Sequence, residues 1–427
     1  MSDRLTDDCF RYDLPLVKHE AAIEELKRRT RPIVSTESIA LEAALGRIVA
    51  APPVARYPVP NHTNSAVDGY AFAAGDYDPL QGDILAVVAR AAAGRPLLED
   101  VPKRAAVRIF TGAAMPRGLD TVAMQEDCEE LAGGDGRPSV RIPAGLKPGA
   151  NVRRAGEDVK EGETLFAQGH VLRPQDLAGL ASIGLAEVTC FKRLRVAIGS
   201  TGDEITRPGS RPLKHGSVFD ANAPMLQALA GLAGTATTDL GIWPDQFEQV
   251  RRRLQEAALG FDVILTTGGA SRGEEDHVAR ALANLGSRHF WQIAVKPGRP
   301  MMFGQIGNVV VVGLPGNPVA VFVCFLMYVW PLLRHLGGAP WPEPRRLRAR
   351  ALFDFPKRKT GRREFWRGML SETPEGLTVD KFVRDGSGLI SGLGAADCLI
   401  DVPEEVPGVM VGDLLAVIPF SEFGICR

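Results

Sequence analysis

The stretch Phe261–Asp276 reads FDVILTTGGASRGEED. A short run from Phe261 to Thr266, apolar without strict alternation, passes into paired glycines and then into carboxylates that open a helical segment at about 274–285. Such a run is covered on both faces, as in the strands of a parallel sheet. The same order recurs in LRVAIGSTGDEI (Leu194–Ile205), before a helical segment at about 221–233, and in VVVVGLPGNP (Val309–Pro318), before one at about 317–334. Strand, loop and helix in repetition specify a doubly wound α/β domain, with its ligand crevice outside the carboxyl ends of the strands. Glycines there let backbone N–H groups approach an anion, and the following helices add their positive ends. Asp203, Glu204, Glu274, Glu275 and Asp276 belong to the same loops. Carboxylates beside a phosphate need a divalent cation between them, so Mg²⁺ or a similar ion is expected.

Working outward, Lys296-Pro297-Gly298-Arg299-Pro300 fixes two cations on a rigid turn suited to an oxyanion. A helix is expected over Asp245–Leu259, with Asp245 and Glu248 as a capping box. Further helices are expected over Val17–Arg29, from a Ser35/Thr36 cap through Ile39, Leu41, Leu45 and Ile48, and from Pro174 along Leu177, Leu180 and Ile183. Between about Tyr57 and Ala150, short alternating segments separated by Gly, Pro and Asp indicate a β-rich domain. After Gly337-Gly338 and Pro340, Pro342 and Pro344, short strands indicate a small all-β domain. Its basic stretch Lys357–Arg363 reads as a solvated hairpin turn supplying at most one anion-binding Arg.

The 427 residues carry 50 Lys and Arg against 51 Asp and Glu, which gives no global reason to bind nucleic acid. The run Val319–Leu333 contains Pro331 and is shorter than the roughly 18–20 residues that span a bilayer, so a buried helix is expected and no membrane partner. MSDRLTDDCFRYD shows no secretory pattern, and Cys9, Cys128, Cys190, Cys324, Cys398 and Cys426 form no C-x-x-C pair; a reducing cytoplasm fits. No P-loop, G-x-G-x-x-G, G-x-S-x-G or H-E-x-x-H motif occurs. The residues by themselves reach metal-assisted chemistry on a phosphorylated small molecule.

In order along the chain, NSAVDGYAF (Asn64–Phe72), IFTGAAMPRGLDTVAMQED (Ile109–Asp127), NVRRAGEDVKEGETL (Asn151–Leu165), STGDEI, TTGGASRGEEDHV, KPGRPMMFG and GLPGNPVAVF closely resemble the MoeA-type molybdopterin molybdenumtransferases, the family that includes the E domain of gephyrin. GRREFWRG (Gly361–Gly368) extends the likeness. The resemblance implies a homodimer of four-part subunits: a linker domain (10–57 with 153–190), a β-rich insertion (58–152), a MogA-like α/β domain (191–338) and a C-terminal β-barrel (339–427). It implies cation-dependent transfer of molybdate onto the dithiolene of adenylylated molybdopterin with release of AMP. A MogA-type adenylyltransferase and cofactor-accepting enzymes are the implied protein partners.

Carried over by motif, Asp68, Thr111, Glu204, Asp245 and Asp276 are the implied catalytic residues, with Glu204 and Asp276 on the metal. Arg153, Asp158, Gly268, Gly269, Ser271, Lys296, Arg299, Pro315, Pro318, Arg367 and Ser387 are the implied substrate contacts, Ser391 being an alternative to Ser387. The insertion domain is expected to face the partner's α/β domain, so that Asp68 and Thr111 serve the partner's site. An Arg–Asp pair is the structural alternative for Arg153 and Asp158. Val67, Arg272, Arg299 and the Ala of Asp220-Ala221-Asn222, where Asp-Ser-Asn is usual, depart from the family pattern, and Arg272 adds a cation beside the proposed anion site.

Overall fold

The computed structural model describes residues 16–132, 138–209, 213–268, 277–384, 386 and 388–426. Helix α1 (His19–Arg29) buries Ala22 and Leu26 on one face and places Lys27, Arg28 and Arg29 at its carboxyl end, where cations meet the helix dipole. Thr36–Ala40, expected as helix, is a strand, β1. Its partner comes from far along the chain, and cross-strand packing overrides a local capping signal.

The next sheet comprises β2 (Gly69–Phe72), β3 (Asp83–Ala91), β4 (Ala105–Ile109), β5 (Thr121–Met124), β6 (Glu129–Ala132) and β7 (Pro138–Ile142). They lie in the order β5-β2-β4-β3-β7-β6, antiparallel except for β3 beside β4. Tyr70, Phe72, Leu85 and Val140 form part of its core. The chain then returns through α2 (Pro174–Ser182) to β8 (Glu187–Phe191), the antiparallel partner of β1.

The α/β unit follows, with β9 (Arg195–Thr201), α3 (Asn222–Leu232), β10 (Ala236–Trp243), α4 (Phe247–Gly260), β11 (Val263–Thr267), α5 (His277–Leu285) and β12 (Ser287–Trp291). The two-residue strand β13 (Val295–Lys296) leaves this unit before β14 (Met302–Ile306) and β15 (Val309–Leu314) return to it. Sheet order is β10-β9-β11-β15-β14-β12, the first four parallel and the last two joined antiparallel. Val263, Ile264 and Leu265 are all fully buried, as an apolar run covered on both faces requires.

Helix α6 (Pro318–Leu336) is long and apolar enough to cross a membrane, but 83% of its apolar window is buried in the protein, as for a core helix. Pro331 does not interrupt it. A π turn over Phe325–Val329 precedes the proline and accommodates its missing N–H.

Strands β16 (Leu347–Ala351), β17 (Arg363–Thr373), β18 (Gly376–Lys381), β19 (Cys398–Val402) and β20 (Leu414–Pro419) close into a five-stranded barrel, because β17 pairs with both β18 and β19. β13 adds to β17 in parallel and stitches the α/β unit to the barrel. The basic stretch is only partly a solvated turn. Arg358 is buried and donates to the carbonyls of Val406, Arg362 and Pro403, while Arg363 pairs with buried Asp401. These carbonyls lie on strand-connecting loops that sequence spacing does not reveal.

Candidate active site

The ends of β9, β11 and β15 meet the start of α3 at a cleft of 630 Å³. Glu204, Gly268, Pro315 and Pro318, expected from sequence, line it together with Ser200, Asn222 and Thr267. Asp220 organises the floor: its Oδ1 accepts from the N–H groups of Asn222 (3.1 Å) and Ala223 (3.0 Å), opening α3, while its Oδ2 takes the Ser200 hydroxyl at 2.5 Å. Arg207 holds Asp220 at 3.1 Å and Asp239 at 2.6 Å. Asn222 Nδ2 donates to Thr267 Oγ1 and to the Gly316 carbonyl, both at 2.7 Å, and so ties two of the glycine loops together.

One buried oxygen of the lining, Asn222 Oδ1, has no hydrogen-bond partner among the described residues. Buried polar atoms are rarely left so, and a ligand or water in the cleft would satisfy it. Glu204 is exposed, and its carboxylate accepts no hydrogen bond from the described residues. The lining donors are carboxylates, hydroxyls, two amides and carbonyls, without thiol or imidazole among the described residues. That chemistry suits a hard divalent cation, and Glu204 is the lining carboxylate that no described residue engages. Its expected companion Asp276 lies outside the described residues, as do Gly269, Ser271, Arg272 and Ser387. Among the described residues no cluster of three or more His, Cys, Asp or Glu forms a complete metal cage.

Gly268 closes this lobe with φ +86°, and a Cβ there would lie 2.3 Å from the Thr201 carbonyl oxygen. Both the backbone angle and the space exclude a side chain. Gly268→Ala is expected to separate the ends of β9 and β11, lowering stability by about 1–3 kcal/mol and activity more than stability predicts; chemical unfolding and steady-state rates check this.

A second lobe, of 410 Å³, shares Pro300, Pro315 and Asn317 with the first and runs to the barrel. Lys296, Arg299, Arg362, Arg367 and Lys381 line it with Phe365, Trp366 and Phe382, and no carboxylate does so among the described residues. Arg367 stacks on Phe382 at 4.9 Å and donates to the Leu389 and Arg384 carbonyls at 2.7 Å each, holding the segment whose Gly386 and Gly388 reach the outer and inner lobes. The Nε of Arg299 is buried without a hydrogen-bond partner among the described residues, as expected of a guanidinium awaiting an anion. Gly298 lets the loop lie on α6, since a Cβ would meet Cys324 Sγ at 2.4 Å. Among the described residues no cysteine lines either lobe, and burial pushes the thiols of Cys190 and Cys398 up to about 11 and about 12.

Asp245 does not cap its helix. α4 begins at Phe247 after Gln246, and no side-chain cap bond forms. Instead the Asp245 N–H donates to Asp203 Oδ1 at 3.0 Å, and its carboxylate stands 3.9 Å from His277 Nε2. The loop thus spends this residue on the neighbouring strand end rather than on its own helix. Asp68 and Thr111 come together on the β2–β4–β5 sheet: Asp68 Oδ1 accepts from the Thr111 N–H (2.8 Å) and hydroxyl (2.7 Å), which hold the carboxyl below its ordinary pKa, the Arg108 charge assisting. Neither residue lines either lobe. Arg153 and Asp158 are exposed, with no ion pair between them among the described residues, so the structural alternative for the pair is not realised.

Sequence reasoning gave no role to Asn222, Trp366, Lys381 and Phe382, while Arg362 comes from the basic stretch that was expected to supply one anion-binding Arg. The triplet Asp220-Ala221-Asn222 was a usable signal, since an Asp two residues before a helix start marks a loop that is anchored. The barrel residues carry no such local mark.

Profiles of three known regions match the chain in succession: "MoeA N-terminal region (domain I and II)" over residues 17–184, "Probable molybdopterin binding domain" over 197–335 and "MoeA C-terminal region (domain IV)" over 348–420. A molybdopterin molybdenumtransferase of Haemophilus influenzae is 37% identical over 90% of this chain and 94% of its own length. Molybdopterin molybdenumtransferase 2 of Mycobacterium tuberculosis is 33% identical over 94% and 98%. Among solved structures, a molybdopterin biosynthesis moeA protein from Pyrococcus horikoshii superposes with a TM-score of 0.81 at 29% identity, covering 95% of this chain and all of the other.

Proposed function

The chain belongs to the MoeA family of molybdopterin molybdenumtransferases, enzymes of molybdenum cofactor biosynthesis, and from that premise we propose that it transfers molybdate onto the dithiolene of adenylylated molybdopterin, releasing AMP. One observation carries the reading: an inner lobe of carboxylate, hydroxyl and amide oxygens opens directly into an outer lobe of cations and aromatic rings. A substrate that joins a phosphate bridge to a planar ring, and meets a tetrahedral dianion, needs those two environments side by side.

In this mechanism Glu204, together with Asp276 as the motif implies, would hold a divalent cation, which when bound would neutralise charge on the phosphate bridge. The N–H groups of the glycine loops receive the phosphate oxygens, and Asn222 keeps two of those loops at fixed separation. Asp68 or Asp245 orients the water that attacks the bridge. Thr111 fixes the Asp68 carboxylate for that task through its N–H and hydroxyl. Lys296, Arg299 and Arg367 receive molybdate in the outer lobe, and the substrate supplies both sulfurs.

Asp68 and Thr111 act in this scheme on the partner subunit of a homodimer, a reading supported by the fact that neither lines a lobe of its own chain. The four-domain division given by the motifs and a cytoplasmic location belong to the same reading. Incubation of the purified protein with adenylylated molybdopterin, molybdate and Mg²⁺ tests it. AMP release that requires both molybdate and the cation is expected; release indifferent to molybdate, or none with a competent substrate, would overturn the transferase assignment.

A further inference from the structure

We propose that Glu364 is a positioning residue: it holds the Lys296 ammonium against the barrel and so limits how tightly the outer lobe binds its oxyanion. The inference rests on the outer lobe being the oxyanion site. Glu364 does not line that lobe. It stands behind the wall, on β17, directly beside Lys296 in the parallel pairing of β13 with β17.

The backbone pairing comes first. The Arg363 N–H donates to the Ala294 carbonyl at 3.0 Å, and the register sets Lys296 opposite Glu364. Lys296 Nζ is then 3.4 Å from Glu364 Oε2, which also accepts the Trp366 indole N–H at 2.8 Å. Arg358 Nη1 stands 3.8 Å from the other oxygen. The Glu364 side chain is 2% exposed and that of Lys296 49% exposed, so the carboxylate is fixed while the ammonium reaches the lobe.

These contacts divide unequally. Arg358 has three backbone carbonyls for its N–H groups, with Glu364 as the carboxylate facing its buried charge, so loss of the Glu364 charge also costs stability there without freeing a donor to the lobe. Trp366 needs only an acceptor oxygen. For Lys296, Glu364 is the sole hydrogen-bond acceptor among the described residues. An oxyanion entering the lobe therefore competes with a buried carboxylate for the same ammonium. A charged acceptor and a neutral amide of equal shape differ greatly in that competition. The arrangement keeps a tetrahedral anion held yet releasable, as a site that must pass its anion to a second substrate requires.

The test measures binding of inorganic molybdate by calorimetry to the full-length protein. Glu364→Gln retains an oxygen for the Trp366 N–H and removes the charge; it is expected to tighten molybdate binding about five- to tenfold, with a matching fall in the KM for molybdate. Damage to the fold weakens binding and so cannot imitate this result. Glu364→Asp, which withdraws the carboxylate from Lys296 by one methylene, is expected to give a smaller tightening and provides a second reading if the amide variant folds poorly. In a Lys296→Met background most of the gain from Glu364→Gln should vanish, because the effect passes through the ammonium. Unchanged or weaker binding by both Glu364 variants, or an equal gain without Lys296, would overturn the proposal. Failure of the wild-type protein to bind molybdate would instead remove the oxyanion reading on which it stands.

Discussion

Glu204→Ala is expected to lower AMP release by about 10²–10³-fold, the range seen when one preorganised electrostatic contact to a reacting centre is removed. Its folding stability should stay within about 0.5 kcal/mol of the parent, because the side chain is exposed and makes no described hydrogen bond. Thermal unfolding alongside the AMP assay separates the two effects, and wild-type turnover in a folded variant would remove Glu204 from the mechanism. The same variant tests the shared site. Asp68→Asn protein should also be nearly inactive, and mixing the two variants under subunit exchange should restore about a quarter of wild-type activity, since half the dimers then carry one intact site of two. No recovery despite proven exchange would place Asp68 with the lobes of its own chain.

Asp401→Ala should lower stability by about 3–5 kcal/mol, because it removes the buried carboxylate that hydrogen-bonds two guanidinium groups and leaves Arg363 with only the longer contacts to Glu404 and Glu20. Asp401 is 2% exposed and accepts from Arg363 (2.6 and 3.0 Å) and Arg346 (2.8 Å). Burial alone would raise its carboxyl pKa, but the two guanidinium groups hold it below the ordinary range. The folded value therefore lies below the unfolded one of about 3.9. Its stabilisation is complete above that pH and is lost as pH falls through the folded value. The difference between variant and parent in urea unfolding should thus be full at pH 7 and shrink at acidic pH; a constant difference would contradict the ion-pair account. The network also links α1 to the barrel, where neutral His19, its pKa lowered to about 3 chiefly by burial, contacts Tyr328 Oη at 2.8 Å.

Much of the inner lobe was readable from residues alone. The runs Phe261–Thr266 and Val309–Gly313 contain the strands Val263–Thr267 and Val309–Leu314 because buried parallel strands leave a continuous apolar run, and the loops that follow sit where such strands end. Thr36–Ala40 was misread because its strand exists only through Glu187–Phe191, a partner invisible to local pattern. Asp245 was misread because a carboxylate before a helix has the same sequence signature whether it caps that helix or lies in a loop clasped by a neighbouring one.

The sequence by itself determined that a glycine-rich, carboxylate-bearing crevice would form at the ends of parallel strands, since strand, loop and helix order is encoded within about 30 contiguous residues. It also carried the motifs that assign the family. Only the tertiary structure decided that the crevice has a second, cationic lobe, because Arg362, Trp366, Arg367, Lys381 and Phe382 reach it only when the barrel closes and β13 pairs with β17. The partnership of Lys296 with Glu364 spans 68 positions, and that of Arg363 with Asp401 spans 38. Separations of that length leave no periodicity in the chain, and their energies exist only once burial has removed water from both groups.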